Sequence, residues 1–307
     1  MRVALLFPGQ GSQAVGMGRD LYAASPAARE LFSRADRLLG FGLSRLCFAG
    51  PEEALTRTEN AQPAIFVTSL ACLAAAREAG VVRLPDQVGF VAGHSLGEYT
   101  ALVAAGALDF EAGLKLVRER GRLMQAASEA TPSGMAAVLG LAEEAVLQVC
   151  AEAGVEVANY NAPGQVVISG PKEALGRAAD LARRLGARRV VFLNVSGAFH
   201  SRVMAPAAEG LRPLIDAAPL RPAQVPVVAN ITARPMVSPD EIRAELREQI
   251  LRPVRWQQSM EYIIRQGVRR FIELGPGKVL TGLLRRIDEG VEAVAIDGLA
   301  ALGQRVS

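Results

Sequence analysis

Residues 88–106 read VGFVAGHSLGEYTALVAAG. Val88 to Ala92 is a short apolar run of strand length, Gly93-His94-Ser95-Leu96-Gly97 is a turn, and Glu98 to Gly106 has helical spacing. Strand, tight turn and helix, with G-x-S-x-G on the turn, is the setting that a nucleophile elbow demands. Glycines flank the serine because the chain doubles back too sharply there for side chains. The helix N-terminus behind Ser95 offers backbone N–H groups to a developing oxyanion. The bland alternative is a glycine-rich turn with an incidental serine; the flanking elements favour Ser95 as a nucleophile.

A serine needs a base, and the chain has two histidines. His94 is adjacent to Ser95, where neighbouring side chains diverge, so it is poorly placed to take the proton. His200 follows a strand-like segment ending at Asn194 and the loop Val195-Ser196-Gly197-Ala198-Phe199, where a sheet delivers residues to a site. A lone histidine is often a satisfied structural residue, but beside an elbow His200 is the candidate base. The third member of a hydrolase triad is missing. Between Ser95 and His200 the aspartates are Asp109 and Asp180, both in helix-like segments, and the glutamates lie mostly in helical patterns as well. A Ser-His dyad oriented by an amide or a carbonyl fits better than a triad.

Outward from the elbow, Val3 to Phe7 reads as a buried strand and the segments 26–40, 62–79 and 109–128 as helices. The texture then changes. Met135–Leu139, Val155–Tyr160, Gln165–Ser169 and Arg188–Asn194 read as strands, with helices at Glu143–Ala153 and Lys172–Leu185. That order, β-α-β-β-α-β, is a ferredoxin-like unit. Residues 128–195 are therefore expected to form a small domain inserted into a larger α/β domain made of 1–127 and 196–307. Beyond it, strands at Val225–Asn230, Arg269–Leu274 and Ala293–Ile296 alternate with helices at Ser238–Ile250, Val254–Gln266 and Lys278–Ile287. Such alternation argues for a mainly parallel sheet covered on both faces, of the α/β-hydrolase kind.

The loop Gly9-Gln10-Gly11-Ser12-Gln13-Ala14 raises a competing reading, since G-x-G-x-x-A after a strand can cradle a pyrophosphate. A dinucleotide fold would then place a second strand with an acidic end about 20 residues on. Here Ala27 to Asp36 has helical spacing, and no Gly-Lys-Ser/Thr follows the loop, so both nucleotide readings lack a required partner.

Composition sets outer bounds. Half of the 307 residues are apolar, enough to fill a sizeable core. No apolar run reaches the roughly 20 residues that a spanning helix needs, and Pro8 breaks the first one too early for a signal peptide, so the expectation is a cytoplasmic chain with no membrane partner. Cys47, Cys72 and Cys150 lack metal-ligand spacing, which argues against zinc, disulfides and any metal site. A net charge of +3 with mixed signs does not point to nucleic acid. One charge stands out. On the 109–128 helix Gly113, Leu116, Val117, Met124 and Ala127 form a stripe, and Arg120 falls on it. A guanidinium among buried neighbours needs an anion, either a bound carboxylate or a structural ion pair, and spacing does not choose between them.

Five segments in order, Pro8-Gly9-Gln10-Gly11-Ser12-Gln13, Gly93-His94-Ser95-Leu96-Gly97-Glu98, Asn159-Tyr160-Asn161-Ala162-Pro163-Gly164-Gln165, Ala198-Phe199-His200-Ser201 and Glu273-Leu274-Gly275-Pro276-Gly277, resemble the malonyl-CoA:acyl carrier protein transacylases over essentially the whole chain. The resemblance implies that Ser95 is acylated, that His200 is its base, and that Gln249 supplies the carbonyl orienting the histidine. It implies an oxyanion pocket from the Gln10 loop and the Leu96 N–H, and a malonyl carboxylate gripped by Arg120. Asn159 and Asn161 are expected on the small-domain side of the cleft near His200, or as turn formers before Pro163. Phe199 before the histidine goes with malonyl in related polyketide acyltransferases, where serine goes with methylmalonyl.

The implied activity is ping-pong transfer of malonyl from malonyl-CoA to the phosphopantetheine thiol of acyl carrier protein, supplying fatty acid elongation. Coenzyme A belongs to the substrate and no other cofactor is implied; the working unit is expected to be a monomer. Two readings compete with it. A serine thioesterase shares the elbow but predicts an acidic triad member and no need for Arg120, and an inactive docking subunit would keep only the fold.

Overall fold

The computed structural model describes residues 2–303; Met1 and residues 304–307, which the expected large domain includes, lie outside the described residues. Among the described residues ten strands form two sheets. β1 (Val3–Phe7), β2 (Val88–Gly93), β7 (Val227–Val228), β8 (Pro235–Met236), β9 (Arg270–Leu274) and β10 (Glu292–Ile296) line up as β10-β9-β1-β2-β7-β8. Every pairing in this sheet is parallel except β7 with β8.

The residues of β1 explain why the sheet is covered on both faces. All five are buried, yet Val3, Leu5 and Phe7 pack into one apolar cluster and Ala4 and Leu6 into another. A strand with period-two side chains that are apolar at every position has water on neither side. The first cluster takes in the Thr58–Glu78 helix, buried nearly all round, and the Pro26–Leu39 helix; the second takes in Trp256, Met260 and Ile263 of the Trp256–Arg265 helix and Leu280 and Leu284 of the Val279–Ile287 helix.

The second sheet is antiparallel and comes from residues 133–192: β3 (Ser133–Leu139), β4 (Glu156–Ala162), β5 (Gln165–Pro171) and β6 (Arg189–Phe192), in the order β4-β5-β3-β6. In β3 and β5 the alternation is strict. Ala136, Val138, Val166 and Ile168 meet the Glu143–Ala153 and Lys172–Arg184 helices on one face. Met135, Ala137 and Val167 meet Met124, Ala127, Phe199 and Ile250 on the other. That second face joins the small sheet to the long Phe110–Ala130 helix and the His200 segment, and the functional site lies at this seam.

The structure departs from the sequence reading in several elements. The helix expected at 62–79 starts at Thr58, because polar Thr58, Glu59 and Asn60 complete its first turn without an apolar signal. Ala205–Ala217 is a helix that the pattern did not give, its stripe of Ala207, Ala208, Leu211 and Ile215 masked by Pro206 and Pro213. The expected Val225–Asn230 strand shrinks to Val227–Val228, and the helix expected to run to Ile250 ends at Glu248 in a 3₁₀ turn, Gln249–Leu251.

Candidate active site

The elbow is built by close backbone approach. A Cβ on Gly93 would lie 1.9 Å from the Gly97 carbonyl oxygen, and one on Gly97 would lie 2.1 Å from the carbonyl oxygen of Phe7 in β1. Only glycine lets the turn sit this tightly on the neighbouring strand. Ser95 is held at φ 52° and ψ −105°, outside the regions where side chains are comfortable, and the Leu96–Ala104 helix begins directly after it. Leu96, fully buried, opens that helix, so its N–H is one of the first-turn groups with no intrahelical acceptor.

Ser95 Oγ lies 2.7 Å from His200 Nε2. Nδ1 of the same ring faces two main-chain carbonyls, Gln249 at 2.9 Å and Arg252 at 3.0 Å. Carbonyls only accept, so Nδ1 carries the proton and Nε2 is left to accept from the serine. His200 is 3% exposed. Burial, and then the nearby Arg120 cation, push its imidazole from 6.5 down to about 3. The ring is therefore a neutral base across the physiological range.

Arg120 reaches the same serine. It is 1% exposed. One terminal nitrogen donates to Gln62 Oε1 at 2.8 Å; the other donates to Ser95 Oγ at 3.1 Å and to Gln249 Oε1 at 3.0 Å. All three acceptors are neutral, Nε has no hydrogen-bond partner among the described residues, and the guanidinium lies over the Tyr99 ring at 5.5 Å. None of its hydrogen bonds among the described residues goes to a carboxylate; the buried Glu98 carboxyl acts on its charge without a direct bond.

Gln10, His94, Ser95, Arg120, Met124, Met135, Asn159, Leu193, Val195, Phe199 and His200 line one pocket of about 90 Å³, room for a short acyl group. The Gln10 loop presses on the elbow, where a Cβ on Gly9 would come within 2.5 Å of the His94 carbonyl oxygen, and Gln10 Nε2 donates to Thr58 Oγ1 at 3.0 Å. The loop thus serves the serine turn, which is where its glycines are needed. Asn159, on β4, is in the pocket with Phe199. Asn161 is not among the lining residues: its Oδ1 lies 2.9 Å from His94 Nε2, which turns it away from His200. The register of β4 slips between Tyr160 and Ala162, so the two asparagines do not act as same-face neighbours. A larger cleft of about 710 Å³, beside Arg234, Glu245 and Arg252, receives no side chain of the serine, histidine and arginine group.

Two residues of the site had no role in the sequence reading. Asn230 Oδ1 accepts the Ser95 N–H at 2.8 Å and its Nδ2 donates to the Gly93 carbonyl at 2.7 Å, so one side chain spans the turn. Its signal was its place at the carboxyl end of an expected strand in a parallel sheet, where sites collect. Gln62 is buried in the Thr58–Glu78 helix, and nothing in its sequence neighbourhood ties it to Arg120.

Comparison with known proteins decides the family. The acyl transferase domain model matches residues 4–301. The malonyl CoA-acyl carrier protein transacylase of Bacillus subtilis is 47% identical over 300 residues, covering 96% of this chain and 93% of its own length. The chain belongs to the acyl transferase family, among its malonyl-CoA:acyl carrier protein transacylases. A transacylase of the same name from Staphylococcus aureus is 42% identical over 306 residues, covering 97% of this chain and 96% of its own.

The family likeness extends to solved structures. An acyl-carrier-protein S-malonyltransferase from Bartonella henselae superposes with a TM-score of 0.95 at 40% identity, covering 98% of this chain and 97% of that one. A malonyl-transacylase solved in complex with a type II polyketide synthase acyl carrier protein gives 0.94 at 40% identity, covering 98% of both chains. This transacylase chain is an acyltransferase, with a mainly parallel and an antiparallel sheet like theirs. None of its described helices is long and apolar enough to cross a membrane.

Proposed function

We propose that the chain moves the malonyl group from malonyl-CoA to the phosphopantetheine thiol of an acyl carrier protein through a malonyl ester of Ser95. The observation that carries this reading is Arg120, a buried guanidinium with neutral acceptors only and one arm on the nucleophile's oxygen. Its fork suits a carboxylate, and burying it beside an acyl chain without one forfeits a charge-assisted bond.

In the first half-reaction Ser95 Oγ attacks the thioester carbonyl carbon while His200 Nε2 takes the hydroxyl proton. The oxyanion falls to N–H groups of the Gln10 loop and of Leu96. Collapse breaks the carbon–sulfur bond, and the imidazolium returns its proton to the departing coenzyme A thiolate. The second half-reaction repeats these steps with the carrier thiol attacking the serine ester and Ser95 as the leaving group. Every proton and bond is accounted for by side chains and the two thiols, so coenzyme A enters only as part of the substrate. The Gln249 and Arg252 carbonyls hold the imidazole in the productive tautomer, and Phe199 and the methionines give the acyl chain an apolar wall.

The same reading covers the architecture and setting. It divides the chain into an α/β-hydrolase-like domain, 1–127 with 196–307, and a ferredoxin-like domain, 128–195. The β4-β5-β3-β6 order with both helices on one face supports the latter description. A monomer acting in the cytoplasm belongs to the same reading, and three buried, unbridged thiols support the setting. Exposed Arg183, Arg184, Arg188 and Arg189 offer positive charge to an acidic carrier.

Intact-protein mass spectrometry after brief exposure to malonyl-CoA tests the proposal. A malonyl adduct that is absent in Ser95→Ala and moves to added phosphopantetheinylated carrier protein is the expected result. An adduct lost to water instead of the carrier would favour a thioesterase, and no adduct at all would favour a docking subunit.

A further inference from the structure

Several groups of the site hang from one buried carboxyl that the chemistry above does not use. Glu98, in the first turn of the Leu96–Ala104 helix, is 0% exposed. Its Oε1 accepts the Asn230 N–H at 2.8 Å, and its Oε2 accepts from Gln249 Nε2 at 2.6 Å. Each partner passes the constraint on. Asn230 bonds the Ser95 N–H and the Gly93 carbonyl, the two sides of the turn that holds the nucleophile. Gln249 donates to the Ser95 carbonyl at 2.8 Å, accepts from Arg120 through Oε1, and accepts from His200 Nδ1 through its own main-chain oxygen.

An amide has a donor end and an acceptor end of nearly equal shape, so packing alone does not fix which way Gln249 points. Glu98 does fix it. Each carboxyl oxygen keeps a lone pair for its bond, which obliges Gln249 to turn its NH₂ group inward and to leave Oε1 facing Arg120. With the amide reversed, its NH₂ group would meet the guanidinium donor to donor, and its Oε1 would meet two acceptors, Glu98 Oε2 and the Ser95 carbonyl.

We propose that Glu98 is a positioning residue for acyl selection: it orients the Gln249 amide, which aims Arg120 into the acyl pocket, and through Asn230 it braces the turn bearing Ser95. The inference rests on the reading of Arg120 as the carboxylate grip. Glu98 touches no substrate; it acts through residues that do.

The test compares malonyl with acetyl transfer, as kcat/KM per titratable serine, in wild type, Arg120→Ala, Glu98→Gln and Glu98→Asp. Glu98→Gln keeps the volume but replaces one acceptor with an NH₂ group; Glu98→Asp keeps both acceptors on a shorter stem. The expected result is a collapse of the malonyl/acetyl ratio in Arg120→Ala and a fall of roughly 10-fold in Glu98→Gln, the scale of one hydrogen bond to a charged group. The Glu98→Gln loss should lie mainly in KM for malonyl-CoA, with Glu98→Asp retaining more of the ratio. An unchanged ratio in Glu98→Gln beside a collapsed one in Arg120→Ala overturns the inference, as does Glu98→Asp doing worse than Glu98→Gln, the order that packing alone would give. An unchanged ratio in Arg120→Ala removes instead the reading on which the inference rests. Should Glu98→Gln not fold, Glu98→Asp carries the test: a malonyl/acetyl ratio below that of wild type with acetyl transfer retained supports the inference, and a wild-type ratio overturns it.

Discussion

A guanidinium that is 1% exposed and bonded to three neutral oxygens is an expensive thing for a core to keep. Burial works against its charge, and an arriving carboxylate offsets that. Arg120→Ala is therefore expected to lower kcat/KM for malonyl-CoA by roughly 100-fold or more while sparing or improving acetyl-CoA, because the alanine pocket no longer leaves a charge unpaired. Equal losses for both substrates in steady-state kinetics would make Arg120 structural. His200 carries a second expectation. Its imidazole, pushed from 6.5 to about 3 by burial and by Arg120, stays deprotonated far below the usual range. The acid limb of kcat/KM for malonyl-CoA should then fall well below pH 6.5, and a limb at 6.5 would mean a solvated ring. The sign for stability follows. The unfolded chain binds the proton first, so the contribution of neutral His200 is full above pH 6.5 and is lost as pH falls from 6.5 toward 3.

Among the elements, the strand, turn and helix of 88–104 were legible in the sequence because each needs a distinct residue type at a fixed place. Apolar residues fill the strand, glycines stand where backbones nearly touch, and Ser95 sits between them. The Gln249–Leu251 turn was not legible. Its sequence continues a helical stripe, while the Gln249 side chain in the turn bonds to Glu98 and Ser95, residues about 150 positions away. Asn230 and Gln62 share that limit, since their partners lie 135 and 58 positions off. The contacts of the glycines allow a stability prediction. Gly97→Ala puts a methyl 2.1 Å from the main-chain oxygen of Phe7, and a backbone cannot swing aside as a side chain can. A loss of about 1–3 kcal/mol in urea unfolding is expected. Gly282→Ala, in the Val279–Ile287 helix with no atom within 4 Å of the new methyl, should gain up to about 1 kcal/mol in the same assay.

At the level of the whole molecule, alternation of strands and helices was enough to give a covered, mainly parallel sheet and a change of pattern where the second sheet begins. Hydrophobic period carries that information directly. The strand order, and the way the two sheets meet, were beyond it. The seam depends on which of two apolar faces of β3 and β5 looks toward the long helix, and both faces are equally apolar in sequence. That seam also decides traffic. With about 90 Å³ beside Ser95, the pocket accommodates one short acyl chain, and whichever thiol brings or removes it must occupy the same approach. On the proposed reading donor and acceptor would queue for a single berth: coenzyme A would have to clear it before the carrier arm entered, and a carrier arriving early on the unloaded enzyme would block the very loading step it is waiting for.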